Sequence, residues 1–200
     1  MSRKVLFVPI AIMAILIGLY PLMYVFVPHQ YTFLGTKIPE LLKDKLWMSA
    51  FYFHIIFGGL ALLVGWIQFL PKIRLNKPFI HRKIGLLYIL SVFTSSIAGI
   101  YMGFFANEGA VASLGFIILG IIWLASTLQA FKQIKKGRIN SHQKWMIFSY
   151  AACFSAVTLR IYLPLLNISF EPSSAYKIVA WLCWVPNIMV AALISRKLKL

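Results

Sequence analysis

The chain has very few acids: 4 Asp+Glu in 200 residues, against 20 Lys+Arg, for a formal net charge of +16. Those four acids (Glu40, Asp44, Glu108 and Glu171) all lie between apolar blocks. No carboxylate pair or Ser/His/Asp set falls inside a block, so glycoside hydrolysis and triad hydrolysis lack their residues. Cysteine is equally scarce. Cys153 and Cys183 each sit in an apolar stretch, which excludes a disulfide framework. Charged residues of all kinds reach only 12%, where a soluble domain averages about 25%.

What fills the chain instead is apolar. Hydrophobic residues make up 61%, above the roughly 45–50% of soluble domains. They gather in six blocks, about 5–27, 47–70, 84–105, 111–131, 145–166 and 176–195. A membrane-crossing helix needs about 20 such residues. The sequence therefore predicts an all-α integral membrane protein, with six transmembrane helices in one bundle. Residues 1–46 supply the first helix and an external loop, and residues 47–200 a five-helix membrane domain. The first block, too long for a signal h-region and lacking a small-residue cleavage site, is expected to remain as a span.

Charge sets the expected direction. Arg3 and Lys4, then Lys72, Arg74, Lys77, Arg82 and Lys83, flank one side of the blocks. So do Lys132, Lys135, Lys136, Arg138 and Lys144, and then Arg196, Lys197 and Lys199. The other side holds all four acids and only four lysines. Positive loops stay inside, so both termini are expected in the cytoplasm and the chain in the plasma (inner) membrane. The same placement argues against nucleic acid as a partner, because juxtamembrane cations meet anionic lipid headgroups. The Pro39–Lys43 stretch of the longest outer loop is expected to form a short interfacial helix.

Polar groups within apolar helices are costly and point to function. On the second block, His54, Gly58, Ala61, Gly65 and Gln68 recur at helical spacing and form one seam. His81, Gly85 and Tyr88 begin a similar seam on the third, continuing through Ser95 and Gly99. His142, Met146, Ser149, Cys153, Ala156 and Arg160 do so on the fifth, with His142 and Arg160 about 27 Å apart along the axis. The glycines need no role beyond close helix packing, and Trp47, Trp66, Tyr162 and Tyr176 suit an interfacial belt. Asn76 and Ser141 are candidate helix caps, which would set His81 and His142 in first turns. There the helix dipole and neighbouring cations favour neutral imidazole, the form that ligates a metal or haem iron. Arg160 keeps its charge at depth and calls for an anion: Glu108 or Glu171 from a loop, or an anionic ligand. Asn187, just after Pro186, is suited to carbonyls freed by a proline kink.

The strings HIIFGGLALLVGWIQF, HRKIGLLY, SHQKWMIFSYAACFSAVTLRIYLPL and YKIVAWLCWVPN resemble the bacterial membrane family called domain of unknown function 2306. The likeness runs from about residue 50 to 195. It implies that His54, Gln68, His81, His142, Arg160 and Asn187 belong to the family pattern, but supplies no activity. The chemistry of the residues suggests a b-type haem or metal-binding redox protein. His81 and His142 are its candidate iron or metal ligands, and His54 and Arg160 form an outer cofactor-binding group. Gln68, Tyr88 and Asn187 are the candidate pocket residues. Two readings compete: a non-catalytic carrier of a small anionic or lipid-like ligand, and an assembly factor for a membrane complex.

Overall fold

A computed structural model describes residues 3–196, with side chains from residue 7 onward. The side chains of Arg3 and Lys4, and residues Lys197 and Lys199, therefore lie outside the described part. Every described element is helical, and six helices are long and apolar enough to cross a membrane: Phe7–Phe26, Lys45–Phe69, Pro78–Gly103, Ala110–Lys135, Ile139–Ser169 and Pro172–Arg196. In lipid the backbone must satisfy its own hydrogen bonds, and the helix does so within one segment.

The helices overrun the apolar blocks into the basic flanks. Pro78 opens the third helix six residues before Ile84, and the fifth begins at Ile139 rather than Trp145. Lysine and arginine stems allow this, because they lie along apolar surface with the charge in water. Ends are set by local stops. Asp44 starts the second helix by accepting from the Leu46 and Trp47 amides at 2.8 and 3.4 Å. Pro39–Lys43 forms the expected short helix.

Two expected caps are corrected. Asn76 is the last residue of a short helix, Pro71–Asn76, and the third helix opens at Pro78 after Lys77, whose carbonyl takes the His81 amide. Ser141 lies inside the fifth helix, whose cap position is Arg138. Gly137, at φ 70°, reverses the chain so tightly that the helix begins two residues before Ser141. Both histidines still fall in the first turn.

The chain divides into two compact units, residues 1–98 and 99–200. In the first, the first and second spans approach backbone to backbone. A Cβ on Gly59 would lie 2.6 Å from the Gly18 carbonyl, and one on Gly18 would lie 2.7 Å from Leu63 Cγ. Phe33, from the loop before the second span, stacks with Phe51 and Phe51 with Trp47 on that span, and Lys37 Nζ lies 5.0 Å from the Phe33 ring and 6.0 Å from that of Trp47.

In the second unit, the fourth span packs along the first half of the fifth and against the start of the sixth. Gly115 lets that last contact close, since a Cβ there would sit 2.8 Å from the Ala180 carbonyl. The turn before the fourth span is tied down by Glu108, at φ 66°, which accepts a hydrogen bond from Ser173 Oγ. The fifth and sixth helices are each interrupted near their centres, at Phe154 and at Cys183–Trp184.

Candidate functional site

The seams expected on the second and third helices face each other in the first unit. His54 Nδ1 lies 2.9 Å from the Ser95 carbonyl oxygen, and Ser95 Oγ donates back to the His54 carbonyl at 2.9 Å. A Cβ on Gly58 would lie 3.0 Å from Ser95 Oγ. At the other end, Gln68 lies over Gly85, its Oε1 3.3 Å from where a Cβ would be. Tyr88, between these contacts, is fully buried, Gln68 is buried and His81 is part-buried. Gln68 Nε2 and Ser91 Oγ are buried without a hydrogen-bond partner.

The second unit repeats the histidine arrangement. His142 Nδ1 lies 2.9 Å from the Ala130 carbonyl of the fourth span. A carbonyl oxygen can only accept, so Nδ1 carries the proton in both His54 and His142. In each neutral ring the lone pair is then on Nε2. Such a bond to a main-chain carbonyl fixes the tautomer and orientation of the ring. One turn from Ala130, Gln133 is buried with its Oε1 lacking a donor. Beside His142 an open cleft of about 400 Å³ is lined by residues 137–141, including Arg138. Farther along the same helix pair, Thr127 and Ser149 hydroxyls bond at 2.6 Å.

Arg160 is part-buried and donates through Nη1 to the Ala156 carbonyl one turn back, at 2.9 Å. Asn187 binds both helix breaks. Its Nδ2 donates to Cys183 O at 3.0 Å, to Thr158 Oγ1 at 3.2 Å and to Ala151 O at 3.3 Å. Thr158 itself donates to the Cys183 carbonyl. Asn187 thus serves as a backbone clamp. Glu108, a loop acid considered for Arg160, is the group that receives Ser173 Oγ.

The expected pairs His81–His142 and His54–Arg160 each draw one residue from either unit, and each residue is described within its own. Among the described residues, no group of three His, Cys, Asp or Glu side chains is placed to hold a metal ion. Sequence patterns left Gln133, Thr127, Thr158 and Ser91 unmarked. Serine and threonine in helices usually bond their own backbone, so their presence alone carries no signal.

Six apolar helices with polar seams between them define a multi-pass helical membrane protein. The chain belongs to the family described as predicted membrane protein, DUF2306, whose profile matches residues 51–195. No curated protein and no solved structure matches it.

Proposed function

We propose that the protein is a membrane redox protein that holds a b-type haem through His142. The observation that carries this reading is the Nδ1 donation of His142 to the Ala130 carbonyl, which presents Nε2 as the ligating nitrogen. Haem is favoured over a bare metal ion for a reason of ligand count. Structural and catalytic ions take three or more protein ligands, whereas a porphyrin fills four positions itself and asks for one or two axial groups. Arg138, on the adjoining cleft, supplies a cation suited to a propionate. His54 carries the same tautomer in the first unit.

The test is the absorption spectrum of protein purified in mild detergent from haem-replete cells. A Soret band is expected in the parent and in His29→Ala, and its loss in His142→Ala, with partial rescue by added imidazole. Parent protein that is helical by circular dichroism, yet carries no haem and takes up no added haemin, overturns the reading.

The charge distribution supports insertion in the plasma membrane with both termini cytoplasmic. Single cysteines at Lys135 and Glu108, in a background lacking Cys153 and Cys183, should be labelled from opposite sides of intact cells. Labelling from one side only, at both positions, refutes that orientation.

A further inference from the structure

We propose that residues 71–83, at the junction of the second and third spans, form a docking site for anionic phospholipid headgroups. The site lies wholly within the first unit and does not depend on haem at His142.

The segment collects charge of one sign. Lys72, Arg74, Lys77, Arg82 and Lys83 follow one another closely, and all of them are exposed. The acids of this unit, Glu40 and Asp44, precede the second span, whose 25 residues put about 37 Å between Asp44 and the segment. At physiological ionic strength charges interact over about 8 Å. The anions that balance this cluster therefore come from outside the unit.

Charge bias across a membrane accounts for the cations but not for the side chains that stand among them. Leu75 is 70% exposed and Phe79 is 66% exposed. Lys83 Nζ lies 4.4 Å from the centre of the Phe79 ring, so a cation and an aromatic face are presented together. Cations interspersed with exposed apolar groups suit a segment lying in the headgroup layer. Rings and aliphatic groups face the acyl chains there, and the charges reach the phosphates.

The connection holds the segment close to that layer, which is about 5–8 Å deep. The second span ends at Phe69 and the third opens at Pro78, and Pro71–Asn76 between them is wound into a helix about 9 Å long. The Ile73 and Arg74 amides both bond to the Leu70 carbonyl at 3.1 Å, and the Lys77 amide to the Ile73 carbonyl at 3.1 Å. This turn packs chiefly on Trp66–Phe69 just before it, which leaves its side chains outward. A soluble acidic protein would have to enter the headgroup layer to cover Leu75 and Phe79, whereas a phospholipid is already there. The Arg74 and Arg82 forks match a phosphodiester with paired N–H donors, and the lysines add point charges.

The experiment attaches an environment-sensitive fluorophore to Asn76→Cys, in the background lacking Cys153 and Cys183, and titrates the full chain in uncharged detergent micelles. Phosphatidylglycerol should shift the emission to the blue at a concentration at least tenfold below that needed with phosphatidylcholine. A cation at an anionic surface strengthens attraction about fivefold, so Lys72→Gln/Arg74→Gln/Lys77→Gln should move the phosphatidylglycerol titration at least tenfold higher. Lys72→Arg/Lys77→Arg keeps the charge and should titrate like the parent, which separates lost attraction from lost folding. Inorganic phosphate should give no shift, because it brings no acyl chain to Leu75 and Phe79. Equal titrations with the two lipids overturn the site and leave the patch to an acidic protein. So does a lipid preference unchanged in the triple variant, or a shift with phosphate alone, which would mark a site for free anions.

Discussion

Replacing Asn187 with leucine should loosen both interrupted helices of the second unit together. The Asn187 amide donates to Cys183 O, Thr158 Oγ1 and Ala151 O, at 3.0, 3.2 and 3.3 Å. The first tie is within the sixth helix and the other two cross to the fifth. A hydrogen bond between membrane helices contributes about 0.6 kcal/mol on average and about 1.7 at most. The two that cross between helices total about 1.2 kcal/mol at the average value. Leucine has the same branched heavy-atom skeleton, so no large cavity adds to this. The Cys183 carbonyl keeps the Thr158 hydroxyl as a donor, which limits the loss at that atom. Reversible unfolding in mixed micelles, followed by helical circular dichroism, should therefore show the folded state weakened by about 1.2 kcal/mol, a factor of about 8. Thr158→Val removes a partner of the same amide, so the two changes together should cost clearly less than their sum. A loss below about 0.5 kcal/mol for Asn187→Leu, or strict additivity, would refute the clamp.

Two further outcomes follow from close approach and from charge. Gly59→Ala places a Cβ 2.6 Å from the Gly18 carbonyl, a backbone atom that cannot swing aside; the first and second spans must separate, at a cost of about 1–3 kcal/mol in micellar unfolding. Burial of the Lys37 ammonium in the loop before the second span pushes it down from 10.5 to about 8. Between about pH 8 and 10.5 the unfolded chain holds the extra proton, so stability should rise with pH across that window and stay flat below it. Lys37→Met should remove its share of the rise, and an unchanged slope in the variant refutes the burial argument.

Much of this architecture was legible in the residues because membrane insertion is a local test. Each apolar block must satisfy its own backbone and be long enough to cross, and neither condition asks what lies beside it. The block positions and the short Pro39–Lys43 helix come from that kind of information, whereas His81 and His142 reach first turns although the caps expected to put them there, Asn76 and Ser141, do not cap those helices. Local chemistry also marked which side chains to watch, since an imidazole or guanidinium inside an apolar helix is conspicuous wherever it packs.

Tertiary structure decided what those side chains do. The groups that orient His54 and His142 are main-chain carbonyls, of Ser95 and Ala130, and every residue carries a carbonyl. No residue letter distinguishes the ones that will be in reach. The same holds for the start of the fifth helix, which Gly137 moved ahead of Ser141 by reversing the chain. The break at Phe154 has no proline or glycine to announce it. It is stable because Asn187 and Thr158, twenty-nine residues apart, meet across two helices and hydrogen-bond within the clamp. A hydrogen bond in lipid depends on which groups meet after the helices pack, and that meeting is fixed by distance in space rather than by spacing along the chain.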